Sequence, residues 1–183
     1  MTRTARPALL VATGLILLSG CAAAPAATSS AAGIGEWPSF LPTPTAAGIA
    51  HGSTADPATS YAGSPVIVAI GDAEVLVDLE GPSYPADTKV GADSVHCTFR
   101  VTLSGATAGV DLAGAAFDLL DNAGTVHELV VDPATPLPKV VRPGRTVELT
   151  LTTTVPSGEG FVRFYPDGGP DAAAGWDYVA ETD

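Results

Sequence analysis

Ser94-Val95-His96-Cys97-Thr98-Phe99-Arg100-Val101-Thr102-Leu103 is the stretch that decides the fold. Val95, Cys97, Phe99, Val101 and Leu103 alternate without a break with Ser94, His96, Thr98, Arg100 and Thr102. Side chains on a strand point to opposite faces in turn, so this is a half-buried β-strand. The same period runs outward from it in both directions. Upstream, Ala73, Val75, Val77 and Leu79 oppose Glu74, Asp78 and Glu80, with only Leu76 out of phase. Downstream, Val147, Leu149, Leu151 and Val155 oppose Thr146, Glu148, Thr150 and Thr152. Shorter runs follow the same logic at Val66–Ile70, Ala116–Leu120, Val126–Val131, Phe161–Tyr165 and Trp176–Ala180.

Turn residues separate these runs. Asp121-Asn122-Ala123-Gly124 supplies a hairpin loop in which Gly takes a positive φ. Pro143-Gly144, Pro156 to Gly160 and Pro166 to Pro170 punctuate the rest. Seven to eight short strands, each bounded by turns and with nothing to suggest a crossover helix, predict an antiparallel β-sandwich over residues 65–183. The Thr-rich run from Arg145 to Val155 is a candidate sheet edge for strand addition by a partner.

The order of these segments resembles a telokin-like, immunoglobulin-like sandwich. The resemblance rests on Cys97–Leu103, then Phe117 to Asp121 with Asn122-Ala123-Gly124, then Arg142-Pro143-Gly144-Arg145-Thr146-Val147, a Pro-containing segment and a final aromatic strand. The chain departs from antibody-type domains in lacking their paired cysteines and tryptophan. Domains of that kind recur in extracytoplasmic lipoproteins of Gram-positive bacteria. The resemblance implies a binding or structural module and brings no catalytic residue.

The N-terminal part is built differently. Residues 1–21 read MTRTARPALLVATGLILLSGC: Arg3 and Arg6, then an apolar run from Ala8 to Leu18, then small residues. The apolar run is shorter than the roughly 20 residues that span a bilayer and fits a signal peptide. Leu18-Ser19-Gly20-Cys21 resembles the lipobox of bacterial lipoproteins. That resemblance implies cleavage after Gly20 and a diacylglyceryl group on the Cys21 sulfur, hence a palmitate-type lipid anchor on the extracytoplasmic side of the cell membrane. An uncleaved signal anchor is the other reading. From Cys21 to Ser64 the sequence is dominated by Ala, Ser, Thr, Pro and Gly with no apolar period, which predicts a disordered tether. Within it Trp37, Phe40 and Leu41 form a compact apolar patch. It reads as a short docking motif, as a segment folding back on the sandwich, or as one dipping into the membrane interface.

Charge narrows the partners. Formal net charge is −12, and removal of Arg3 and Arg6 leaves six basic residues against twenty acidic, or −14. Such a chain repels phosphate backbones, which excludes nucleic acid. Once Cys21 is acylated, Cys97 has no disulfide partner, and its phase buries it between Val95 and Phe99. His96 projects to the opposite face, so the two form no catalytic pair. His96 and Arg100 share the outer face as candidate contact residues, with His127 a further one. His51, in the tether, completes three histidines with no metal-binding spacing.

Asp167, Asp171 and Asp177 surround Gly168-Gly169-Pro170, and Asp118 and Asp121 flank Asn122. Both are candidate oxygen cages for Ca²⁺, although neither has EF-hand spacing. No nucleophile–base motif or phosphate-cradling loop is present, so no cofactor and no catalysis are expected. The leading functional reading is a lipid-anchored interaction module for another envelope protein. The alternatives are a Ca²⁺ or small-ligand carrier, and an envelope enzyme using loop carboxylates.

Overall fold

The computed structural model describes residues 48–89 and 91–179. The predicted signal peptide, Cys21, Trp37 and Phe40 lie outside the described residues. Twelve strands are present: β1 (Ala50–Gly52), β2 (Ala58–Tyr61), β3 (Val66–Ile70), β4 (Ala73–Ser83), β5 (Val95–Ser104), β6 (Val110–Asp111), β7 (Ala116–Asp121), β8 (Val126–Val131), β9 (Val140–Val141), β10 (Val147–Val155), β11 (Gly160–Tyr165) and β12 (Ala174–Tyr178).

Ten of them form one ladder in the order β1-β3-β4-β5-β10-β8-β7-β11-β12-β2, and β6 and β9 pair separately. The ladder doubles over at β8. Val126 to Leu129 pair with β7, whereas Val130 and Val131 pair with Thr152 and Leu151 of β10. Two layers result, β1-β3-β4-β5-β10 and β8-β7-β11-β12-β2, and the protein is an all-β sandwich.

The inward phases meet between the layers. Val75, Val77, Leu79, Cys97, Phe99, Val101, Leu103, Leu149 and Leu151 from the first layer are buried. So are Phe117, Leu119, Leu129, Val162, Phe164 and Trp176 from the second. The rings of Phe99 and Tyr178 cross the interface edge to face at 5.3 Å, and Phe117 stacks on Phe164 at 4.7 Å. Leu76, out of phase in the sequence, lies on the outer face opposite Ile67 of β3 and is half-buried there. The Asp121–Gly124 turn has the form expected: Gly124 takes φ +82° and its N–H donates to the Asp121 carbonyl at 3.0 Å.

Four expectations are corrected. The tether reading does not hold from Ala50 onward, because β1 and β2 belong to the sandwich. β1 pairs with β3 and β2 with β12, both in parallel. A tight turn separates them, held by Ser53 N–H to the Asp56 carbonyl at 2.9 Å and Asp56 N–H to the Ser53 carbonyl at 3.2 Å. Trp176 Nε1 donates to the Ser64 carbonyl at 3.0 Å, fastening the end of this segment to the core. Second, twelve strands lie among the described residues, not seven to eight, because β1, β2, β6 and β9 are too short to show a period. Third, the two parallel pairs break the all-antiparallel rule. Fourth, the Thr-rich strand β10 is no free edge. β5 covers it along its whole length, β8 pairs with Leu151 and Thr152, and Thr150 N–H donates to Thr135 Oγ1 at 2.9 Å.

Candidate functional site

The outward phase of the second layer forms a surface with apolar and charged side chains in separate rows. Registers across β8, β7, β11, β12 and β2 place its side chains in rows. One row is Glu128, Asp118, Arg163, Gly175 and Thr59. The next is Val126, Leu120, Phe161, Asp177 and Tyr61. Val179 follows β12 beyond this second row. Val126, Tyr61 and Val179 are 55%, 71% and 73% exposed, and Leu120 and Phe161 are half-buried between them. Val126, Leu120 and Phe161 therefore form an apolar band across β8, β7 and β11, with Tyr61 and Val179 beyond Asp177; isolated apolar side chains are ordinary in solvent, but a contiguous group marks a contact site.

Gly175 explains how the band stays flat. A Cβ on this residue would overlap the Phe161 ring, so the ring lies across the bare backbone of β12. An aromatic side chain covering a strand glycine also shields the neighbouring ladder bonds from water.

The polar row is closed on itself. Arg163 binds Asp118 in a fork, Nε to Oδ1 and Nη2 to Oδ2, both at 2.7 Å. Tyr165 Oη donates to the same Oδ2 at 3.1 Å, and the Arg163 guanidinium carbon lies 5.7 Å from the Tyr165 ring centroid. Bidentate, charge-assisted geometry of this kind is strong and directional. The Asp118 carboxylate raises the Arg163 pKa through its hydrogen bonds, and burial, followed by the Asp118 charge, raises that of Tyr165. Arg163 is the one basic side chain among the outward residues of these five strands, and Asp118 neutralises it. Among the described residues, Glu128, Glu159 and Asp177 make no ion pair.

Two shallow depressions flank the band. One, of about 510 Å³, opens beside Ala116, Asp118, Val126, Glu128 and Tyr165 under the Gly168-Gly169 loop. The other, of about 430 Å³, is bordered by Tyr61, Leu120, Glu159, Phe161, Asp177 and Val179. Each has an unpaired carboxylate on its rim.

The candidate residues from the sequence fall elsewhere or apart. Asp167 accepts a hydrogen bond from Gly169 N–H at 2.9 Å and shapes its own turn. Asp171 is exposed, and Asp177 projects from the outer face of β12. The three do not converge. Among the described residues no three His, Cys, Asp or Glu side chains form a group able to hold a metal ion. Asp118 and Asp121 also diverge: Asp118 points outward to Arg163, while Asp121 turns inward and is buried. Asp121 accepts from Ala123 N–H at 2.9 Å, from Thr125 N–H at 2.8 Å and from His127 Nε2 at 2.8 Å. The bond from His127, then that from Thr125, holds its carboxyl below the usual aspartate range.

His96 is exposed on the first layer, and Arg100 there pairs with Glu80 at 3.2 Å, so neither lies on the apolar band. Cys97 is fully enclosed, and burial pushes its thiol up to about 11. A thiol in that state is a core hydrophobe at neutral pH. His51 is exposed on β1.

The residues that build the face were missed except for Asp118 and Asp177. One signal was available: Phe161-Val162-Arg163-Phe164-Tyr165 carries large side chains in both phases, which a strand with one solvated face does not need.

No family model matches the chain, and no curated protein matches it. Solved structures similar in outline include three with at most 20% identity. A secreted protein of Mycobacterium tuberculosis, MPT63, is 14% identical, with a TM-score of 0.49, covering 67% of this chain and 98% of that one. An uncharacterised β-sandwich protein of Clostridium difficile is 9% identical, with a TM-score of 0.41, covering 66% and 93%. An ApaG protein of Pseudomonas aeruginosa is 20% identical, with a TM-score of 0.31, covering 47% and 82%.

Proposed function

We propose that the protein is a lipid-anchored, extracytoplasmic interaction module, whose sandwich of the telokin-like immunoglobulin kind docks another envelope protein through the outer face of β8-β7-β11-β12-β2. The observation that carries the reading is the exposed band Val126, Leu120 and Phe161, with Tyr61 beyond Asp177, laid flat by Gly175 beside an arginine already neutralised by Asp118. A surface of this kind supplies an apolar centre with polar margins, the arrangement that stable contacts use. The lipobox match at Leu18 to Cys21 supports the anchored, extracytoplasmic location. Such a module acts without turnover, and no cofactor enters the reading.

The test is a photo-reactive side chain at position 126 in the protein on intact cells. Capture of one envelope protein, abolished by Tyr61→Asp and unaffected by His96→Ala, is the expected result. Equal capture from positions 126 and 96, or none from 126, overturns the reading. Loss of lipid labelling in Cys21→Ser checks the anchor separately.

A further inference from the structure

Resting on that docking reading, the geometry points to the chemistry of the partner: a polypeptide segment with an apolar centre and a basic side chain on either side of it. The argument is charge complementarity on a mapped surface. The row runs Val126, Leu120 and Phe161, then Asp177, then Tyr61, and the two depressions along it carry carboxylates and, among the described residues that line them, no free cation.

At the β8 end the carboxylate is Glu128, exposed, directly opposite Asp118 in the register and on the rim beside Tyr165. An ammonium or guanidinium entering there meets the Glu128 charge together with the edge of an aromatic ring. Toward β12 the carboxylates are Asp177, within the row itself, and Glu159, just before β11, and both line the depression that Tyr61 borders. Arg163 lies between the two ends. Its fork to Asp118 leaves it neutralised, so it neither repels an incoming cation nor recruits an anion.

Spacing sets the length of the segment. Glu128 on β8 and Asp177 on β12 are three interstrand steps apart, about 14 Å at the usual strand separation. An extended segment covers that in about four to five residue steps. A second copy of this chain is a poor occupant, because the protein carries a formal net charge of −12 and the face itself is acidic. An anionic lipid surface fails for the same reason.

The experiment is a titration of the full-length protein carrying Cys21→Ser with two capped peptides, followed by backbone amide shifts. One peptide has lysines flanking four apolar residues, and the other has glutamates in their place. The lysine peptide should bind at least tenfold tighter, with shifts confined to Val126, Glu128, Phe161, Tyr165 and Asp177. Glu128→Gln and Asp177→Asn, both at exposed positions, should each weaken it about threefold to tenfold, and added salt should weaken it further. Equal binding of the two peptides, or lysine-peptide shifts spread over acidic residues of the other layer, overturns the proposal.

The photo-cross-link at position 126 separates the two failures. If it captures a partner whose contacting segment is acidic, or a second copy of this chain, the basic-partner inference fails while the docking face stands. If it captures nothing, the docking reading itself has failed.

Discussion

Trp176 is fully enclosed in the core, and its indole N–H donates to the Ser64 carbonyl at 3.0 Å. Trp176→Phe therefore tests whether residues 48–64 are part of the folded unit. A phenyl ring keeps most of the packing but has no donor, and it leaves part of the indole's space empty. A void of about 40 Å³, at about 24 cal/mol per Å³, costs roughly 1 kcal/mol. A buried carbonyl deprived of its donor costs about 1–3 kcal/mol. Ser64 is exposed, so water replaces part of the lost bond and the lower end of that range applies. The sum is about 2 kcal/mol, which in a domain of this size lowers the melting midpoint by roughly 6–10 °C. Urea unfolding followed by circular dichroism measures it, with an unchanged slope as the check that only stability moved. Limited proteolysis at the Ser53–Pro57 turn should also accelerate, because the fastening at Ser64 is gone. A variant within 0.5 kcal/mol of the parent value, with that turn no more cleavable, would refute the reasoning.

Four further outcomes follow from the geometry. Asp118→Ala and Arg163→Met should each cost about 1–2 kcal/mol in urea unfolding, and the double variant should cost clearly less than their sum, since each single change strands a half-buried partner. Asp121 has a depressed carboxyl pKa, so its stabilising contribution is complete above the unfolded value near 4 and is lost as pH falls through the lower folded value. Melting from pH 5 to pH 2 should show that loss in the parent and a shallower slope in Asp121→Asn. Asp78 behaves with the opposite sign. Burial, reinforced by the Glu80 charge, raises its pKa, and Oδ1 is enclosed without a hydrogen-bond partner. Asp78→Asn should therefore stabilise the protein at pH 7, and the gain should vanish at a pH where Asp78 is already protonated. Cys97, with its thiol near 11, should resist an aromatic disulfide reagent at pH 8 in Cys21→Ser and react fully once the chain is unfolded.

How much of this was legible in the sequence depends on what held each element. All eight strands read from alternation are present, because each buries one face and burial leaves a period. Cys97 and Phe99 in β5, and Leu149 and Leu151 in β10, could be assigned to the core from phase alone. Ala50-His51-Gly52 and Ala58-Thr59-Ser60-Tyr61 carry no such signal. Those two strands are held by backbone bonds to β3 and β12, and hydrogen bonding leaves no imprint on side-chain composition. Their small, polar residues made them look like tether.

The site was less legible for a related reason. Asp118 and Arg163 are 45 residues apart, and nothing in either segment names the other. The apolar band exists only once β8, β7 and β11 are set side by side, since Val126, Leu120 and Phe161 come one from each. Asp118 and Asp121 looked like one acidic cluster in the sequence. Three residues along a strand is an odd step, so their side chains leave on opposite faces.

The parallel pairing of β2 with β12 has a mechanical consequence. β12 is the last described strand of the sandwich, and β2 lies near its beginning. Tension applied between the N-terminal side of β2 and the C-terminal side of β12 pulls the two strands lengthwise past each other in opposite directions. The ladder bonds joining Ala174–Asp177 to Ala58–Tyr61 are then loaded together in shear, and cannot be unzipped one after another. Trp176, anchored to Ser64, sits within the sheared region as a peg. Tension entering from the N-terminal side reaches β1 first, so its three-residue parallel pairing with β3 must shear before the full load passes to β2 and β12.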